Sequence, residues 1–422
     1  MVSTDFRQCR STPPLYGLLV VVFTALAGYY LWQWQSPKGF VHAIDHGYRL
    51  FCDFFRYYYP MGKDVLRSKQ PVSGYFYSAF FALILFPFGL LSERVVFWAW
   101  GSVQFLCILI AWALPIRRFL KNSQKLSVCY AGLITISLPV FHNFAWGQIS
   151  MLMIVSVFAA FDAYMAERRI LAGCFLAFAA AIKYYPALFL VYFLLKRDVR
   201  VLIAFSVAGF FFFAILPAAV LGTSNWIAFQ NATMSVVDKA DWTSSDVNSQ
   251  YLVHVGLRYA LLLCPSWVNP TCTLVLKLLS LAVAALSVAV VWRLQRREVC
   301  GEVALSMTAL LLSQPFLLKT SWPHYFCYLP FCQTVLLARL GSPFRGNLLC
   351  RILFTLVSLS VFMSSTFLFN CFRHWSIYSE YGLLFFSNAL LLVPLYVVAF
   401  GKGLTEGLKE TSLITPGHMV RS

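Results

Sequence analysis

Apolar runs long enough to enter or cross a bilayer follow one another along almost the whole chain, separated by short polar and basic breaks. With about 20 predominantly apolar residues as the measure of one crossing, the first run is Leu15 to Trp34, preceded by Arg7 and Arg10. Further runs lie at 94–114, 126–142, 149–165, 170–184, 185–196, 201–220, 274–292, 302–318, 325–340, 352–370 and 381–400. The pattern predicts an all-α polytopic membrane protein, one integral-membrane domain over 1–422 with about 12 transmembrane helices. The apolar run Tyr75 to Leu91 is expected to lie on the outer surface as juxtamembrane helix, because a crossing there would move every later basic cluster to the other side. The run ending at Cys264 is treated in the same way. The short runs 170–184 and 185–196 meet at Lys183-Tyr184-Tyr185-Pro186, where proline interrupts the helix. Irregular backbone at membrane depth is tolerated only where protein buries it or it lines a cavity, so a hairpin dipping into a cavity fits better than two full crossings.

Charge orients this pattern. Arg117/Arg118/Lys121/Lys125, Arg168/Arg169, Lys196/Arg197/Arg200, Arg293/Arg296/Arg297, Arg339/Arg345/Arg351 and Lys402/Lys409 all fall between spans on one side, which the positive-inside rule assigns to the cytoplasm. Both termini are then cytoplasmic, the polar tail 401–422 is a flexible cytoplasmic segment, and two large loops lie outside, 35–93 and 221–273. The first also carries Lys38, Arg49, Arg56, Lys63, Arg67, Lys69 and Arg94, which a long folded loop tolerates better than a short one.

Composition removes other classes. Charged residues are 12% of the chain and hydrophobic ones 60%, with mean hydropathy +0.73, whereas soluble proteins carry about 25% charged residues. A single signal peptide does not account for runs that recur to the end. The net charge of +17 is split into small clusters with no basic face, so nucleic acid is not an expected partner. The twelve cysteines lie mostly inside apolar runs without a C-x-x-C pair and read as small hydrophobes. No Walker-type, dinucleotide-binding, zinc-protease or nucleophile-elbow motif is present, and no metal constellation is convincing; Asp45, His46 and Asp53 form the one carboxylate and histidine grouping. An enzyme of this kind takes its activated donor from lipid and needs no separate cofactor.

The densest chemistry lies in Phe51 to Tyr77, where carboxylates, basic residues and tyrosines follow an apolar segment. Asp53 stands four residues from Tyr57, so both share a face of a short helix; alternatively it pairs with Arg49 or Arg56. Asp53, Gln148, Lys183, Asn248, Gln250, Trp322 and His324 all fall at the outer face in the expected topology, although they come from separate segments. Each has a structural alternative: Gln148 and Asn248 as helix caps, His324 as a satisfied interfacial residue, Lys183 as a snorkelling end residue. An ammonium in an apolar stretch is nonetheless a functional-site candidate by default.

The order of motifs resembles glycosyltransferase family 87, the polyprenol-phosphate-mannose-dependent mannosyltransferases. It runs Asp53-Phe54-x-x-Tyr57-Tyr58, Gly74-Tyr75-x-Tyr77, Gly147-Gln148, Lys183-Tyr184-Tyr185-Pro186 followed by Lys196-Arg197, and Ser321-Trp322-x-His324. The resemblance covers about residues 15 to 340 and is carried by order and spacing together. It implies a GT-C type glycosyltransferase fold with an outward cavity, a donor sugar linked to polyprenyl phosphate, Asp53 as base on the acceptor hydroxyl, and His324 near the donor phosphate. The chain departs from the family at Tyr77-Ser78-Ala79 (Tyr-Pro-Pro), Ser150 (Asn) and Asn248-Ser249-Gln250 (Asn-Gln-Ser), positions that bear on acceptor and sugar more than on fold.

The chemistry is consistent with that resemblance. Transfer from a phosphate-linked sugar needs a base for the incoming hydroxyl and cations for the departing phosphate, and one carboxylate suffices for a single inverting displacement. Lys183, His324 and Arg258 are the available cations, while Tyr57, Tyr58, Tyr75, Tyr77 and Trp322 form a rim suited to sugar faces and headgroup depth. The expected partners are membrane lipids, the donor, and a lipid or glycan acceptor at the extracytoplasmic face of the inner (plasma) membrane. Rival readings are a GT-C enzyme for aminoarabinose or glucose, and a transporter or flippase. The latter would place ionisable residues at mid-bilayer in repeated halves, which this sequence does not do.

Overall fold

The computed structural model describes residues 50–120, 123–238, 246–297, 301–340, 348–372 and 375–401. The expected first span Leu15 to Trp34, the residues Asp45, His46 and Arg49, and the tail 402–422 lie outside them. Among the described residues the regular structure is helical, apart from one isolated antiparallel bridge between Ser137 and Ser365.

Among the described residues, four helical stretches are long and apolar enough to cross a membrane: Glu93–Leu120, Val199–Leu221, Pro270–Arg297 and Trp375–Phe400. A fifth arises if the bent pair Leu138–Trp146 and Ser150–Met165 counts as one span. Of the about 12 expected spans the first lies outside the described residues, the break at 183–186 was expected, and a further break is one that the apolar pattern did not reveal. The expected span 126–142 is split at Ser137, giving Gln124–Ile136 and Leu138–Trp146. The next helix then turns through 117° after Trp146. Six further apolar helices of 10 to 17 residues, among them Arg169–Ile182 and Leu348–Met363, fall short of a crossing by length alone.

Lipid-facing surfaces are evident from exposed apolar side chains. Val199–Leu221 presents Ile203, Val207, Phe210, Phe211 and Phe213, and Pro270–Arg297 presents Leu274, Val275, Leu278 and Leu281. Contiguous exposed apolar area on this scale marks a surface that water does not cover. Inward, Arg169–Ile182 packs mainly against Val199–Phe210 and Ser150–Met165 through small residues. A Cβ added at Gly173 would stand 2.6 Å from the Val201 carbonyl oxygen, so the two backbones touch there. Close approach through Gly and Ala is how helices associate where hydrophobic burial gives little driving force.

Helix direction separates two ends of this bundle. Gln148 precedes Ser150–Met165 and Lys183 follows Arg169–Ile182, so both lie at one end of an adjacent helix pair. At the other end of the same helices Asp162 binds Arg117 at 2.6 Å and Arg118 at 2.7 Å, and Arg169 binds Glu167 at 2.7 Å and Asp198 at 3.3 Å. The basic clusters and the candidate chemistry therefore occupy opposite ends of helices roughly 21–24 Å long.

Candidate active site

The 117° bend begins with Gly147, which ends helix Leu138–Trp146 in the left-handed conformation (φ +68°). A Cβ there would lie 2.9 Å from the β-carbons of Phe51 and Phe54, so glycine is required by both dihedral and space. The bend thereby receives the segment that carries Asp53. Phe51 donates its N–H to the Ala145 carbonyl at 2.7 Å, and Phe54 stacks on Trp100 at 4.3 Å. Trp100 in turn donates from Nε1 to the Gly147 carbonyl at 3.1 Å.

Residues Phe54–Tyr58 form a π-helical turn, with the Tyr59 N–H bonded to the Phe54 carbonyl. The expected i, i+4 pairing of Asp53 with Tyr57 is thus widened to include Tyr58 at i+5, and all three line one cavity of about 260 Å³. That volume is just below the range of small-molecule sites, roughly 300–1,000 Å³. Single π-turns of this kind recur at functional sites.

Gln148 connects the carboxylate to the tyrosines. Its amide nitrogen donates to Asp53 Oδ2, and its amide oxygen accepts from Tyr58 Oη at 2.7 Å and lies 3.2 Å from Tyr77 Oη. The two phenol oxygens are 2.6 Å apart, and Lys183 Nζ donates to Tyr77 Oη at 3.3 Å. Each phenol has one proton, so a consistent sequence of donation runs Lys183 to Tyr77, Tyr77 to Tyr58, Tyr58 to Gln148 and Gln148 to Asp53. The chain begins on a cation and ends on an anion, an arrangement in which every bond polarises the next. Lys183 itself lies over the rings of Tyr77 (4.6 Å) and Tyr325 (4.2 Å).

Burial raises the Asp53 carboxyl to about 6, against the smaller opposing effects of the Gln148 hydrogen bond and the Arg56 and Lys183 charges. Burial also lowers Lys183, and the Asp53 charge partly restores it. A carboxylate titrating near 6 is mostly ionised at pH 7 and still basic enough to take a proton from a hydroxyl.

The rest of the cavity wall comes from elsewhere in the chain: His142, Trp146, Asp246, Asn248, Trp322, Pro323 and His324. His324 is buried, neither of its ring nitrogens has a partner, and burial holds it well below the usual imidazole range. Asn248 accepts a hydrogen bond from Trp375 Nε1, and its N–H is held by Asp246 Oδ1 at 2.8 Å.

Of the twelve candidates, Asp53, Tyr57, Tyr58, Tyr77, Gln148, Asn248, Trp322 and His324 line the cavity. Lys183 reaches it through Tyr77. Tyr75 lies behind, its ring edge-on to Tyr58 and its hydroxyl bonded to the Ser78 carbonyl at 3.1 Å. Gln250 and Arg258 are engaged with backbone. Gln250 Nε2 donates to the Ser379 carbonyl at 2.9 Å, and Arg258 donates to the carbonyls of Ser249 (2.9 Å) and Glu380 (3.2 Å).

Sequence reasoning passed over His142, Trp146, Gln104, Asn143 and Asp246. Gln104 donates to the Gln148 carbonyl at 2.6 Å and accepts from Asn143 Nδ2 at 2.9 Å, so it closes the polar groups of the bend. A signal was available: His142 and Trp146 stand four apart directly before Gly147, on one face of the helix that ends there.

A sequence model of glycosyltransferase family 87 matches residues 75–318, more than half of the chain. No curated protein and no solved structure matches it.

Proposed function

Since this chain belongs to glycosyltransferase family 87 and is thus a membrane glycosyltransferase, we propose that it moves a hexose, mannose by our reading, from a polyprenyl-phosphate donor to a hydroxyl of a lipid or glycan acceptor. The observation that carries this reading is one cavity lined by both a hydrogen-bonded carboxylate, Asp53, and an imidazole whose ring nitrogens have no hydrogen-bond partner, His324. In this mechanism Asp53 accepts the proton of the acceptor hydroxyl as its oxygen attacks the anomeric carbon. The bond from that carbon to the phosphate oxygen breaks, and the lipid phosphate departs toward His324. Attack and departure on opposite faces invert the anomeric centre.

Gln148 orients Asp53 by holding Oδ2, so that Oδ1, approached by Cys52 Sγ at 4.0 Å, serves the hydroxyl, and the buried Tyr58–Tyr77 pair keeps that amide in one orientation. Tyr57 and Trp322 supply apolar faces for the sugar. The reading places this cavity at the extracytoplasmic face of the inner membrane, because the basic helix ends lie opposite it. The test is incubation of the purified protein in detergent with radiolabelled polyprenyl-phosphate-mannose and total membrane lipid. A labelled lipid or glycan product that Asp53→Asn does not form supports the reading. Absence of any labelled product from wild-type protein, with label transferred from a glucose or aminoarabinose donor, would reassign the sugar.

A further inference from the structure

The wall of the cavity that holds Asp53 contains more unpartnered nitrogen than His324 alone. His142 is buried and its Nδ1 has no partner, and the Trp146 Nε1–H, one helical turn further on, has none either. Both line the same cavity as His324. The two imidazoles are stacked, with ring centroids 5.7 Å apart and planes at 19°. His142 is further enclosed by Trp146 at 4.8 Å and 16°, and by Trp375 at 4.8 Å and 30°. Buried polar atoms are ordinarily bonded, and a group of orphaned ones converging on a cavity marks where a ligand supplies the missing partner.

The chemistry of the missing partner follows from the inventory. Indole N–H can only donate, and an imidazole can donate from one nitrogen in either tautomer, so the ligand must bring acceptor oxygens close together. A phosphate, with several strong acceptor oxygens on one phosphorus, meets that need better than a single hydroxyl. We propose that His142 and Trp146, together with His324, form a phosphate cradle in which His142 and Trp146 each donate a hydrogen bond to the phosphate of the lipid-linked donor. The inference rests on the donor assignment made above and adds two binding residues to it. The ring contacts of His142 with Trp146, His324 and Trp375 also direct its N–H before a ligand arrives, which lowers the entropy lost on binding.

The test is the affinity of purified protein in nanodiscs for a short-chain polyprenyl monophosphate and for the matching polyprenol, measured by calorimetry. Wild-type protein is expected to prefer the phosphate. Trp146→Phe keeps the ring and removes the donor, and His142→Phe keeps the stack and removes both nitrogens. Each should lower phosphate affinity by about tenfold, the usual worth of a hydrogen bond to a charged group, and leave polyprenol affinity unchanged. His142→Gln, which restores a donor, should recover part of the loss, whereas a purely structural role would not be recovered. Phosphate affinity at the wild-type level in both Trp146→Phe and His142→Phe overturns the cradle while the donor assignment stands. If wild-type protein does not distinguish phosphate from alcohol, the donor assignment itself fails and the cradle with it. Should His142→Phe not fold, Trp146→Phe decides alone.

Discussion

The side-chain amide of Gln148 bonds the carboxylate of Asp53 across 95 residues of chain, at the point where two helices part by 117°. Neither residue is placed by its own helix alone. Gln148 is aimed by the Gly147 bend, Asp53 by the π-turn seated on it, and the activity proposed for this cavity depends on that seat.

Removing the base separates chemistry from folding. Asp53→Asn should lower turnover by roughly 10²-fold or more, since an amide cannot take the acceptor proton. Its effect on stability has the opposite sign from that of a structural ion pair. The folded state holds the Asp53 proton more tightly than the unfolded chain, so stability is lost as pH rises from about 4 to about 6. An uncharged residue removes that loss, and thermal unfolding in detergent at pH 7 should occur at the same or a higher temperature. Asp64→Asn, in the same segment but not on the cavity wall, is the control and should keep wild-type turnover.

The rate should show an acid limb. With Asp53 titrating at about 6, turnover at saturating donor falls about tenfold between pH 7 and pH 5. The Gln148 hydrogen bond and the Lys183 charge both lower that value. Gln148→Leu and Lys183→Met should each move the limb toward higher pH, which initial rates at five or six pH values would reveal. A limb that stays in place in both variants would detach these residues from the carboxylate.

Glycine at 147 should be irreplaceable. Gly147→Ala imposes a left-handed conformation on an L-residue, about 1–2 kcal/mol, and presses a methyl against Phe51 and Phe54. Unfolding temperature and turnover should drop together, unlike the pattern for Asp53→Asn. Gly209→Ala, where the nearest atom would be Ala177 Cβ at 3.9 Å, should be tolerated.

Sidedness is open to labelling. A cysteine replacing exposed Ser73, beside the cavity-lining Gly74, should react with an impermeant maleimide in intact spheroplasts. One replacing exposed Arg200, at the ion-paired end, should react only after permeabilisation. The reverse result would invert the orientation proposed here.

Much of the cavity was legible in the sequence because its residues interrupt an apolar pattern: Asp53, Gln148, Lys183 and His324 stand out where water is scarce. His142, Trp146 and Asn143 did not, because they lie in or next to an expected unbroken span, 126–142, where an aromatic or single polar position carries no contrast. The split at Ser137 was hidden for the same reason, since serine is common inside membrane helices and the bridge partner Ser365 is 228 positions away. Gln250 and Arg258 show the converse. Their polarity was visible, but whether it serves a cavity or the backbone of residues 379 and 380 depends on a contact more than 120 residues distant. The π-turn could not be read at all, because its spacing of i, i+5 appears only once the chain is folded.

The polar bend also has an order of synthesis built into it. Gly147 and Gln148 are held by Asp53, Tyr58, Tyr77, Trp100 and Gln104, and every one of these is N-terminal to the bend. An exposed kink in lipid would leave several backbone and amide groups unsatisfied at a cost of several kcal/mol each. When the ribosome delivers residues 147 and 148, the groups that shelter them have already emerged. The chain is therefore arranged so that this polar bend can dock as it is inserted, without waiting for the C-terminal half of the protein.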